Sequence, residues 1–205
     1  GNTANDTVKT AYDILVASAA EDIDLTAYAE TLKYVTSAKK TATGNYIFEV
    51  KGPGYGIVGG DDYHPASGEY IIVRVSMTPD GKIIDRRYNI WVDSQDVSSD
   101  VSALDLSGTS VTFAELKQAL PLLSRVTEVN LLDCTLTDGE LKELAGSYPE
   151  IFFLCTMDFA GKPCRTDSTE IDITNCPATV EEVEALLPFF PNLNWLDMSW
   201  CGIAD

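Results

Sequence analysis

Histidine occurs once in the 205 residues, as His64 in Asp61-Asp-Tyr-His-Pro65, and no Ser or Cys motif of a known hydrolase type accompanies it. His64 is therefore read as a loop residue without catalytic duty. Basic residues are scarce too, with 14 Lys plus Arg against 32 Asp plus Glu and a formal net charge of −18. A field of that sign repels phosphate backbones and anionic lipid, so nucleic acid is not an expected partner. The chain has no run of about 18 apolar residues, and no membrane-spanning helix is expected. A basic-then-apolar signal segment is missing as well. Because the chain starts at Gly1 without Met, an upstream segment is expected to have been removed. Cysteine is absent before residue 134, and the five present are Cys134, Cys155, Cys164, Cys176 and Cys201. An odd number in one half of a chain argues against a disulfide framework. Asp93, Asp96 and Asp100 lack the glycine and terminal Glu of a calcium loop.

What is present divides the chain in two. Val8, Ala11, Tyr12, Leu15 and Ala19 recur at helical spacing, and Leu25, Tyr28, Ala29 and Leu32 do so again after Asp24, a candidate N-cap. Alternating stretches over residues 46–51, 70–77 and 82–91 predict strands. Thr78-Pro-Asp-Gly81 makes the last two a hairpin. The polar, aperiodic stretch 93–100 reads as a linker, which gives an α+β domain over 1–97 and a second domain over 98–205.

The second domain is governed by spacing. Val126-Thr-Glu-Val129-Asn-Leu131-Leu-Asp-Cys134-Thr-Leu136 and Leu193-Asn-Trp-Leu196-Asp-Met198-Ser-Trp-Cys201-Gly-Ile203 share one pattern of apolar positions and a Cys, and Val101 to Val111 follows it with Thr109 in the Cys place. Thr109 to Cys134 and Cys176 to Cys201 each span 25 residues, whereas Cys134 to Cys176 spans 42. A further unit around 151–154 with an inserted hairpin near 155–168 accounts for the excess. Thr112 with Glu115, Thr137 with Glu140, and Thr179 with Glu182 each match a capping box at the same offset from the Thr or Cys. Pro121, Pro149, Pro188 and Pro191 end or bend the helices that follow.

These motifs resemble the cysteine-type leucine-rich repeat family over residues 101–205. The resemblance implies an α/β solenoid with a parallel sheet on its concave side, and further repeats, a terminal partner or a homo-dimer beyond Asp205. Cys134, Cys176 and Cys201 are then structural thiols bonded to backbone carbonyls rather than a metal cluster. Cys155 and Cys164 lie on the two arms of the inserted hairpin, and whether they form a disulfide stays open. The concave face would carry Asp105, Asn130, Asp172 and Asp197, with Trp195 and Trp200 at one end. That row reads as a recognition stripe or as a solvated acidic face.

Residues 46–56 and 68–84 resemble the opening half of FMN-binding domains of redox-pump subunits and bacterial surface proteins. On that resemblance Gly54, Tyr55 and Gly56 form a cofactor loop, and Ser107-Gly-Thr-Ser-Val-Thr112 is the approach to a motif whose last Thr carries flavin phosphate. The motif departs from the family at Thr109, and Thr112 also serves as an N-cap in the repeat register. The function expected from all this is a non-catalytic, secreted or cell-surface binding module, lipid-anchored through the removed segment, whose concave face takes a protein or polymer. The alternative is an electron-transfer flavoprotein holding FMN.

Overall fold

The structure is a computed structural model that describes residues 35–52 and 64–202. The helices expected over 8–19 and 25–32 lie outside the described residues. The chain divides into two compact units, Gly1–Asp100 with Pro121–Ser124, and Val101–Leu120 with Arg125–Asp205.

The first unit is a five-stranded antiparallel meander of β1 (Val35–Lys40), β2 (Tyr46–Lys51), β3 (Tyr70–Met77), β4 (Ile83–Val92) and β5 (Gln95–Ser98), in that order. Strand alternation sets its buried face: Tyr46, Phe48 and Val50 are buried in β2, whereas Ile47 between them is exposed. Apolar residues at a two-residue period can only share a side if the segment is extended. Ile90 and Val92 of β4 are fully buried on the same principle. At the tip of the β3–β4 hairpin, Gly81 has φ +94° and donates to the Thr78 carbonyl at 3.0 Å, a backbone conformation that favours glycine.

Residues 93–100 are not a linker. Asp93 and Ser94 both take left-handed conformations, φ 44° and 64°, and Val92 pairs with Gln95, which is the geometry of a two-residue hairpin turn. Val97 is buried, Asp96 accepts a hydrogen bond from Asn89 at 2.7 Å, and Asp100 faces Arg87 at 3.6 Å. The polar composition belongs to the outward side of an edge strand, where charge is tolerated.

The second unit contains α1 (Phe113–Ala119), α2 (Asp138–Ser147) and α3 (Val180–Leu186), with a 3-10 turn at Leu187–Phe189. Its strands are β6 (Ala103–Asp105), β7 (Glu128–Asn130), β8 (Phe152–Leu154), β9 (Thr156–Phe159), β10 (Lys162–Arg165), β11 (Glu170–Asp172) and β12 (Trp195–Asp197). All three capping boxes form: Thr112, Thr137 and Thr179 each accept the amide of the Glu three residues on, and each Glu reaches back to the cap amide. Thr137→Ala is accordingly expected to lower stability by about 1 kcal/mol and Thr137→Ser to leave it nearly unchanged. Urea denaturation followed by circular dichroism reads both.

The α/β leucine-rich repeat solenoid expected from the spacing is not what the chain forms. Most strand pairing among the described residues is antiparallel, the helices there are three short ones, and parallel pairing is confined to three-residue strands in two separate patches, β6-β7-β8 and β11-β12. The break has a local cause. After β8 the chain folds back on itself as the β9–β10 hairpin, so β8 has no partner on its far side and β11 begins a new patch. The recurring apolar positions mark buried points of short strands, Leu104, Val129, Phe153 and Ile171, without joining them into one sheet.

Candidate recognition surface

At the end of four of these strands the chain makes the same corner. The side chains of Asp105, Asn130, Asp172 and Asp197 accept the amide two residues on, from Ser107 at 3.0 Å, Leu132 at 3.1 Å, Thr174 at 2.8 Å and Ser199 at 2.8 Å. These are Asx turns, in which a short polar side chain supplies the bond that a strand partner would otherwise give. The chain then passes through a left-handed residue: Gly108 (φ 66°), Asp133 (59°), Asn175 (62°) and Trp200 (62°). Gly, Asp and Asn tolerate that conformation, but for a bulky residue it costs about 1–2 kcal/mol. Trp200 is thus the exception among the four.

A cysteine sits next in three of the four corners, Cys134, Cys176 and Cys201, and Thr109 in the remaining one. Cys134 donates its Sγ–H to the Leu106 carbonyl at 3.1 Å and Cys201 to that of Ile173 at 3.0 Å, while Thr109 closes its own corner through the Leu106 carbonyl at 2.7 Å. Among the described residues no three His, Cys, Asp or Glu side chains converge as a metal site, and all five cysteines are free thiols. Cys164 faces Met157 across the hairpin, and the Thr166 amide bonds the Cys155 carbonyl, so Cys155 and Cys164 are diagonal rather than opposed. Diagonal positions lie about 7–8 Å apart, beyond the usual reach of a disulfide. Burial pushes the Cys155 thiol up to about 11.

The predicted stripe is placed as two pairs instead of one row. Asp105 stands opposite Asn130, and Asp172 opposite Asp197. Leu154 follows Asn130 in register. Hydrogen bonds from Ser107, Thr174 and Ser199 hold the carboxyls of Asp105, Asp172 and Asp197 respectively below their ordinary 3.8, and for Asp197 the negative charge of Asp172 opposes the shift. A lowered folded-state pKa contributes stability that is present above the unfolded value and lost as pH falls through the folded one. Thermal stability should therefore hold down to about pH 5 and fall below about pH 4. An Asp105→Asn, Asp172→Asn, Asp197→Asn variant keeps the turns, as Asn130 does natively, and should lose less over that interval. Melting curves recorded across the range check it, and parallel slopes for the two proteins would reject it.

Trp195 and Trp200 flank Asp197 in sequence and are half and 85 % exposed. The turn partners Ser107, Thr174 and Ser199 carry a sequence signal of their own, the Asp-x-Ser or Asp-x-Thr spacing. The flavin set is not brought together among the described residues. Gly54, Tyr55 and Gly56 lie outside them, and the Thr112 hydroxyl is held by Glu115, at 2.9 Å to the carboxylate and 3.3 Å to the amide. His64 is exposed. Among the described residues no helix is long and apolar enough to cross a membrane.

Comparison with protein-family models, curated proteins and solved structures finds no match to this chain. Nothing in them identifies either the leucine-rich repeat or the FMN-binding resemblance.

Proposed function

We propose that the protein is a non-catalytic binding module, secreted or held at a cell surface, that captures a protein or polymer on the outer side of its short parallel strands. The observation that carries this reading is Trp200: a large aromatic side chain, 85 % exposed, on a left-handed backbone where the other three corners use Gly, Asp and Asn. Exposed aromatics and stored backbone strain gather at binding sites because folding alone disfavours both. Trp195 and the Asp172–Asp197 pair extend the patch with a second ring and two anionic groups. A partner of this surface offers flat apolar faces beside cationic or hydroxyl groups.

The test is capture from a surface extract by the immobilised chain. Trp195→Ala with Trp200→Ala should abolish capture, and Asp172→Asn with Asp197→Asn should weaken it while the Asx turns persist. Capture undiminished by both variants would remove this surface from consideration.

A further inference from the structure

β6, β7 and β11 are each followed by a capped helix, whereas β8 is followed by the β9–β10 hairpin. Two cavities lie between α2 and α3, both within the second unit and both walled in part by residues of the β9–β10 hairpin. One, of about 570 Å³, lies toward the helix C-termini and is lined by apolar groups including Ala145, Met157 and Phe189. The other, of about 560 Å³, lies toward the N-termini and is lined by Asp138, Asp158, Glu182 and Ala185. Lys142 borders both and joins them into one groove. Asp138, Lys142 and Ala145 sit on successive turns of one face of α2, and Glu182, Ala185 and Phe189 do the same along α3 and its 3-10 extension. Among the described residues no hydrogen bond or ion pair joins α2 to α3, although Lys117 of α1 meets Glu143 of α2 at 3.4 Å.

We infer that this groove is the docking site for an amphipathic helix of a partner protein, apolar on one turn and carrying Lys or Arg on the next. The length of α2 corresponds to about 15 Å, or roughly ten residues of a helix laid alongside it. Charge selects the partner: three carboxylates stand against the single Lys142 ammonium at the polar end. Each carboxylate has one oxygen in a local bond, Asp138 from the Asp158 amide at 2.9 Å, Asp158 from the Gly161 amide at 3.0 Å and Glu182 from the Thr179 amide at 2.8 Å. The other oxygens are left for a cation. Small side chains at Ala145 and Ala185 leave room for the apolar face of a helix laid in the groove. A small apolar ligand would use one cavity and leave the acidic one idle. The site is independent of the Trp-bearing surface and shares no residue with it.

The experiment is fluorescence anisotropy on the full chain with a synthetic helical Leu/Lys peptide and its Leu/Glu counterpart. The Leu/Lys probe should bind and the Leu/Glu probe should not. Ala145→Trp should weaken binding about tenfold by filling the groove, as loss of a central contact does. Lys142→Glu should tighten it about threefold, within the range of one exposed ion pair, a gain that misfolding cannot produce. Asp105→Asn should change nothing. Equal affinity of the parent and Ala145→Trp would mean adsorption to an acidic surface and overturn the proposal, as would absence of binding. Two other outcomes also overturn it: saturable uptake of neutral N-phenylnaphthylamine that Leu/Lys cannot displace, and self-association abolished by Ala145→Trp.

Discussion

Phe159→Ala is expected to destabilise the second unit by about 3–5 kcal/mol, the range for deleting a fully buried aromatic ring. Phe159 is 0 % exposed at the end of β9, and its ring meets Phe190 edge-on, with centroids 5.0 Å apart and planes at 81°. That contact fastens the inserted hairpin to the segment after α3. Two terms combine: apolar transfer with the cavity left behind, and an aromatic pair term of about 0.5–1.5 kcal/mol. Surrounding residues cannot collapse into the space easily, because Met157 and Phe190 are themselves buried and fixed. Phe159→Leu keeps most of the volume and should cost much less. Guanidinium denaturation of the three proteins measures the order, and an alanine variant with an unchanged midpoint would show that the hairpin contributes nothing to the core.

Gly52→Ala is the second large effect, and it acts through the backbone rather than the core. A Cβ on Gly52 would stand 1.9 Å from the Tyr70 carbonyl oxygen and 2.8 Å from its carbon, while the Gly52 amide donates to the Ile71 carbonyl at 2.8 Å. Neither strand can yield without breaking that bond, so the ends of β2 and β3 must separate. A loss of about 3 kcal/mol is expected, at the upper end for overpacking a close contact. Gly108→Ala separates the two ways in which a glycine is required. It has φ +66° with open space around it, and should cost only the left-handed term of about 1–2 kcal/mol. Thermal melts of both variants decide the matter, and equal losses would reject the steric account.

Much of the local structure could be read from the chain because its causes are local. Thr and Glu three apart cap a helix wherever they stand, and the alternation in 46–51 buries one side of any strand. Polar composition misled at 93–100, where Asp93 and Ser94 turn the chain and Val97 alone carries the inward side of an edge strand. The candidate row is legible as residue types and not as an arrangement: the spacing puts Asp105, Asn130, Asp172 and Asp197 at equivalent positions, and the fold adds that each closes a turn. Trp200 gained its significance from a backbone angle that no sequence displays.

The strands near 46–51, 70–77 and 82–91, the three capping boxes and the inward thiols of Cys134 and Cys201 follow from the amino-acid order, since each depends on neighbours within a few residues or on a fixed spacing. Whether equally spaced units join into one sheet depends on edges meeting across long separations. The hairpin after β8 withdraws one such edge. For that reason the solenoid failed while its parts survived, and the groove between α2 and α3, made by side chains far apart in the chain, exists only in the folded molecule.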